Sequence, residues 1–144
     1  VIGAERIREL LPHRHPIQLV DRVPEVEPGT WLRAEKAVTA NEPWDCANGY
    51  PAALLIESWG QSAALLAALE QDRLGPGTVL LFGGMSKVRF HRPVAVGETL
   101  EHHVRIARDL GETVLFEGHT ECAGQTVLEI GQAVLAFRPG AELN

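Results

Sequence analysis

Ala52 to Leu69 reads AALLIESWGQSAALLAAL and follows Pro51. Ala and Leu dominate it, Pro51 stands where a first-turn proline is tolerated, and apolar side chains fall on nearly every face of a helix. A helix that is apolar all round is buried on several sides. Its roughly 18 residues would run about 27 Å, so the stretch predicts a helix through the middle of the fold.

Strand-like runs flank this rod. Downstream, after the turn residues Gly75, Pro76 and Gly77, come Thr78 to Phe90, Thr99 to Arg108, Thr113 to Cys122 and Gln125 to Phe137. The first is interrupted by Gly83 and Gly84, which read as a strand bulge rather than a phosphate cradle. The last three are joined by the hairpin-sized connections Asp109 to Glu112 and Ala123 to Gly124. Upstream, Gly3 to Leu11 has helical spacing and stops at Pro12. Ile17 to Val26 mixes apolar and charged residues before a Pro28-Gly29 turn, and Thr30 to Val38 returns with Leu32, Ala34 and Lys36 alternating against Trp31, Arg33 and Glu35. Asn41 to Tyr50 is loop-like. The expected class is therefore α+β, a curved antiparallel sheet wrapped round one central helix, with residues 1–144 forming a single domain.

The 144 residues carry 13 Lys and Arg against 19 Asp and Glu, a net charge of −6. That balance repels nucleic acid and anionic lipid, and neither is expected as a partner. No stretch supplies the ~20 apolar residues of a membrane span. The N-terminus lacks the apolar run of a signal peptide, and Cys46 and Cys122 lie far apart without metal-type spacing, which together imply a reduced, cytoplasmic protein.

Glu57 carries the chemistry if anything does. Placed among Ile56, Trp59 and Leu54 on a buried helix, its carboxylate would leave water, and desolvation raises a carboxyl pKa toward the range of acid–base catalysis. The competing reading puts it on a polar stripe with Ser58, Gln61 and Ser62, facing solvent or a subunit interface. Gln61, one turn on, is placed to hold Glu57, and the backbone N–H of Ala52 at the helix start is placed to receive a carbonyl oxygen. His13 and His15 flank Arg14 without a third ligand nearby, His102 and His103 must point to opposite faces of a strand, and His91 and His119 read as lone surface residues. No metal site is expected.

Several blocks together resemble the FabZ-type 3-hydroxyacyl-[acyl-carrier-protein] dehydratases: Leu11-Pro12-His13-Arg14-His15-Pro16, Leu19-Val20-Asp21-Arg22-Val23, Val38 to Pro43, Leu55-Ile56-Glu57 with Gln61, and Phe82 to Val94 with Gly97. They occur in the family's order from about Ile7 to Phe137. The resemblance implies a hot-dog fold that dimerises by joining two sheets. It also implies removal of water from a (3R)-3-hydroxyacyl thioester carried on the phosphopantetheine of an acyl carrier protein, giving the trans-2-enoyl thioester, with no further cofactor. In that scheme Glu57 is the acid, Gln61 its neighbour and Ala52 the oxyanion backbone. Trp59, Met85 and Phe90 would line the acyl tunnel, while Lys87, Arg89 and Arg92 would attract the acidic carrier.

The chain departs from the family in one decisive place. Where the family has a Gly-His-Phe-Pro-Gly type loop, this chain has Trp44-Asp45-Cys46-Ala47-Asn48-Gly49-Tyr50, shorter and without a histidine. Loops of this kind resemble the dehydratase-like subunits of aryl-polyene and related polyketide pathways. The expectation is a hydro-lyase subunit whose missing base comes from a hot-dog partner, in a heterodimer, with homodimerisation when alone. Two rival readings are a hot-dog acyl thioesterase and a catalytically inactive structural or acyl-binding subunit.

Overall fold

The computed structural model describes residues 1–69 and 77–140. Helix α1 spans Ala4–Leu10 and α2 Ala52–Ala68; six strands follow the order β1 Arg22–Glu27, β2 Trp31–Ala37, then after α2 β3 Thr78–Phe90, β4 Thr99–Asp109, β5 Thr113–Cys122 and β6 Gln125–Pro139. All pair antiparallel in one sheet ordered β1-β2-β4-β5-β6-β3. The inner face of the sheet wraps α2, which packs against β2, β4 and β5. The expected Gly75 to Gly77 turn falls largely outside the described residues.

Alternation explains which face each strand buries. Along β2, Leu32, Ala34 and Lys36 point inward. Lys36 is tolerated there because its Nζ meets Glu42 Oε1 at 2.8 Å and the Ala37 carbonyl at 2.6 Å, so the buried cation is paired. The β3 register slips between Phe82 and Gly84, the bulge that the Gly83-Gly84 pair announced.

Two expectations need correction. The run from Ile17 is not strand until Arg22, because the backbone of residues 17–19 is bonded by side chains of α2 instead of by a neighbouring strand. And α2 is continuously buried only from Ser58 to Ala67; before that Leu55 is buried, Ala52 and Ala53 are exposed and Leu54, Ile56 and Glu57 half-buried. One flank of the rod, among the described residues, lacks cover from the sheet, beside the edge strand β3. Among the described residues, no helix is long and apolar enough to cross a membrane.

Candidate active site

Pro12 follows α1, and residues 13–20 then cross α2 as a strap that turns at His15-Pro16, where the Ile17 N–H donates to the Arg14 carbonyl at 2.9 Å. Gln61 ties it down from both ends of its amide: Oε1 accepts the Leu19 N–H at 2.8 Å and Nε2 donates to the Ile17 carbonyl at 2.7 Å. The partners fix the amide's orientation, since only oxygen can accept and only nitrogen can donate. The same Nε2 donates to Glu57 Oε1 at 3.1 Å. Gln61 is therefore the orienting neighbour of Glu57, and its carbonyl oxygen is occupied by the strap.

Ser58 adds a buried lock. Its Oγ donates to the Leu19 carbonyl at 2.6 Å, and His102 Nε2 lies 2.7 Å away. Having spent its proton on Leu19, the hydroxyl accepts from Nε2–H, which leaves His102 Nδ1 to accept from Thr120 Oγ1 at 2.7 Å. Burial, with a smaller contribution from His103, pushes the fully enclosed His102 down to about 3, so it stays neutral in this tautomer.

The strap delivers a histidine. His13 Nε2 lies 3.5 Å from Glu57 Oε1, with the two side chains 28% and 38% exposed, and His13 Nδ1 is buried without a hydrogen-bond partner among the described residues. Sequence reasoning set His13 aside as half of an incomplete metal motif. The signal available was its place in the Leu11 to Pro16 block; the return of that block onto α2 across more than forty residues is not visible in any local pattern. Glu57 itself is only half-buried, a correction to the expected burial, because the flank of α2 that carries it is the uncovered one.

This pair opens on a cleft of about 1020 Å³ walled by α1 and the strap on one side, by Gly60, Gln61 and Ala64 beneath, and by residues Thr78 to Phe82 of β3 on the other. Phe82 lies over Gly60, where any Cβ would come within 2.6 Å of the ring. A second groove shares Glu57 and Phe82 and contains Met85. Of the expected tunnel residues, Met85 is thus beside the acid. Phe90 and Ala52 share a different groove at the start of α2 with Asp45, Tyr50 and Arg92. Trp59 lines none of these: it is fully buried on the sheet side of α2 and donates Nε1–H to the His103 carbonyl at 3.1 Å. It fills the core because it lies on the helix face opposite the cleft.

The remaining expectations separate in the same way. Lys87 and Arg89 are exposed on β3. Arg92 is engaged, with Nη1 and Nη2 on the two carboxylate oxygens of Glu98 at 3.0 and 2.9 Å. In the shortened loop, Asp45 Oδ1 caps the Ala47 N–H, and the Tyr50 hydroxyl is buried and pushed above its usual value, first by desolvation and then by Glu42, so it offers no base at neutral pH.

The ApeP-like model, described as ApeP dehydratase, matches residues 5–142. The 3-hydroxyacyl-[acyl-carrier-protein] dehydratase FabZ of Mannheimia succiniciproducens is 37% identical over 136 residues, covering 90% of this chain and 89% of that protein. In three dimensions, the dehydratase heterocomplex ApeI:P from Xenorhabdus doucetiae superposes with a TM-score of 0.83 at 19% identity, covering 95% of this chain and 93% of the other. The PaaI protein of the E. coli phenylacetic acid degradation operon superposes at 0.65 with 12% identity, covering 79% and 80%. These two share the hot-dog fold. With a helix-borne Glu57, its Gln61 one turn on and a match across nearly the whole chain, this protein belongs to the ApeP-like dehydratase family, among the FabZ-type hot-dog dehydratases.

Proposed function

We propose that the chain is a 3-hydroxyacyl-[acyl-carrier-protein] dehydratase subunit of fatty-acyl or polyketide synthesis, working beside a second hot-dog subunit. The observation that carries this is the Glu57 carboxylate, aimed by Gln61 into a cleft whose outer wall is the free edge strand β3. Dehydration is redox-neutral and needs only proton transfers. A base takes the C2 proton of the hydroxyacyl thioester, the C3–O bond breaks, and the Glu57 carboxylic acid gives its proton to the departing hydroxyl, releasing water and the trans-2-enoyl thioester. Ala52 lines the neighbouring groove at the start of α2, so the first-turn N–H groups receive the thioester carbonyl from a substrate that runs from that groove to Glu57. No metal or organic cofactor takes part beyond the phosphopantetheine that carries the substrate.

The base comes from the partner. The loop 44–50 holds no histidine, β3 presents a 13-residue edge to which another sheet can pair, and the most similar fold described above is itself a dehydratase heterocomplex. Lys87 and Arg89, exposed on that strand, supply local positive charge for an acidic carrier protein despite the negative total.

A second reading is favoured by the 3.5 Å approach of His13 to Glu57: His13 serves as the base and the chain is complete by itself. One experiment separates the two. Dehydration of 3-hydroxyacyl carrier protein is measured for the purified chain, for the chain co-expressed with a histidine-bearing hot-dog subunit, and for that pair carrying Glu57→Gln. Activity confined to the pair and lost in Glu57→Gln is expected. Activity of the chain alone, abolished by His13→Gln, selects the second reading, and an undiminished Glu57→Gln pair overturns both.

A further inference from the structure

Antiparallel pairing of β4 with β5 sets His103 opposite His119 and Glu101 opposite Glu121. Between them in sequence, His102 and Thr120 point into the core and are fully buried, so these four side chains stand on the outer face of the sheet. His119, expected to be a lone surface residue, is stacked on His103 with ring centroids 4.4 Å apart and planes within 5°. Glu121 spans the pair: Oε2 lies 3.3 Å from His103 Nε2 and Oε1 3.3 Å from His119 Nε2. Both rings thus turn the same nitrogen toward one carboxylate, and the ligand atoms of His103, His119 and Glu121 all lie within 4.8 Å of one another.

The two imidazoles present Nε2 side by side to one carboxylate; because their planes are parallel, a turn of one ring about its Cβ–Cγ bond brings both lone pairs onto a single divalent ion, which this donor set then satisfies at once. Neutral His nitrogens with a carboxylate oxygen suit Zn²⁺ and its neighbours Co²⁺, Ni²⁺ and Cu²⁺, whereas Mg²⁺ and Ca²⁺ require oxygen-rich sets. The three side chains are about one-third exposed, which leaves further coordination positions to water. Glu101 also approaches His103 Nε2, at 3.1 Å, but Arg33 reaches it at 3.6 Å and it lies outside the convergent triad. We propose that His103, His119 and Glu121 form a divalent transition-metal site of the zinc class that clips β4 to β5 on the outer face of the sheet.

The test uses the full chain without an affinity tag, stripped with chelator and titrated calorimetrically with ZnCl₂. One ion per chain is expected, with affinity lowered at least about tenfold in His103→Ala and His119→Ala and unchanged in Glu101→Gln. Zn²⁺ should raise the thermal midpoint of the parent and leave that of the His variants in place, since ligand bound to the native state stabilises it by mass action. Because alanine also removes the ring stack, His103→Phe is the second variant: it keeps an aromatic face and must still lose the ion. Absence of binding, retention of binding in the His variants, or equal binding of Mg²⁺ overturns the proposal.

Discussion

Leu19 gives its backbone N–H to Gln61 Oε1 at 2.8 Å, a bond spanning 42 positions of sequence that fixes where the strap lies on α2. Since the other end of the same amide holds both the Ile17 carbonyl and Glu57, the position of the strap and the aim of the acid are set by one side chain. His13 owes its place beside Glu57 to that tether.

Gln61→Glu tests the tether with almost no change of shape. The new carboxylate still accepts from Leu19, but it can no longer donate to the Ile17 carbonyl and it stands against Glu57. Leaving the half-buried Ile17 carbonyl unpaired while a second carboxylate stands against Glu57 costs about 2–4 kcal/mol. Urea unfolding should show that loss, and proteolysis within residues 13–20 should accelerate. A variant as stable as the parent would contradict the role assigned to the amide.

Acid stability should depend on Arg92 and Glu98. The bidentate guanidinium, then the Ala95 N–H, hold the Glu98 carboxyl down to about 2 from an ordinary 4.5. A carboxyl held low in the folded state binds protons more readily when unfolded, so its stabilising contribution is complete above pH 4.5 and disappears as the pH falls toward 2. The stability gap between the parent and Glu98→Gln, followed by denaturant titration, should be widest at neutral pH and close on acidification. A gap independent of pH would show that Glu98 acts by packing.

Gly118→Ala should be among the most damaging small substitutions. A Cβ there would lie 1.9 Å from the His103 carbonyl oxygen and 3.2 Å from the Trp59 indole. The obstacle is backbone, so β4 and β5 must separate, at a cost of about 3 kcal/mol or more. The thermal midpoint should fall by several degrees. It would also disturb the Trp59 hydrogen bond that docks α2 to the sheet.

The fold was legible because its signals are local. The all-round apolar stretch at Ala52 to Leu69 and the turns at Pro28-Gly29 and Ala123-Gly124 announce a helix wrapped by hairpins, and the strands Thr78–Phe90 and Thr113–Cys122 fall where alternation and turn residues place them. Glu57 and Gln61 were legible for the same reason, being one helical turn apart. What escaped depends on long-range pairing. His13 reaches Glu57 only through the strap, and His119 meets His103 only through the β4–β5 register. Trp59 was misplaced because an all-apolar helix does not reveal which face meets the sheet. Arg92 looked free because its partner Glu98 lies beyond a Pro-Gly-rich turn.

Leu81 and Phe82 are 36% and 44% exposed on an edge strand, beside the half-buried Glu57. Isolated apolar residues on a surface are ordinary, but two together on a free β edge favour pairing with another sheet. Phe82→Asp puts a charge where that second sheet would pack and next to the acid it would enclose. Size-exclusion chromatography with light scattering should show the co-expressed pair falling apart into single subunits, with dehydration lost in step. Circular dichroism of the variant should stay that of the parent, because the ring is 44% exposed at the cleft rim. An intact and active pair carrying Phe82→Asp would place the subunit contact elsewhere on the sheet and leave the missing base to be found within the chain.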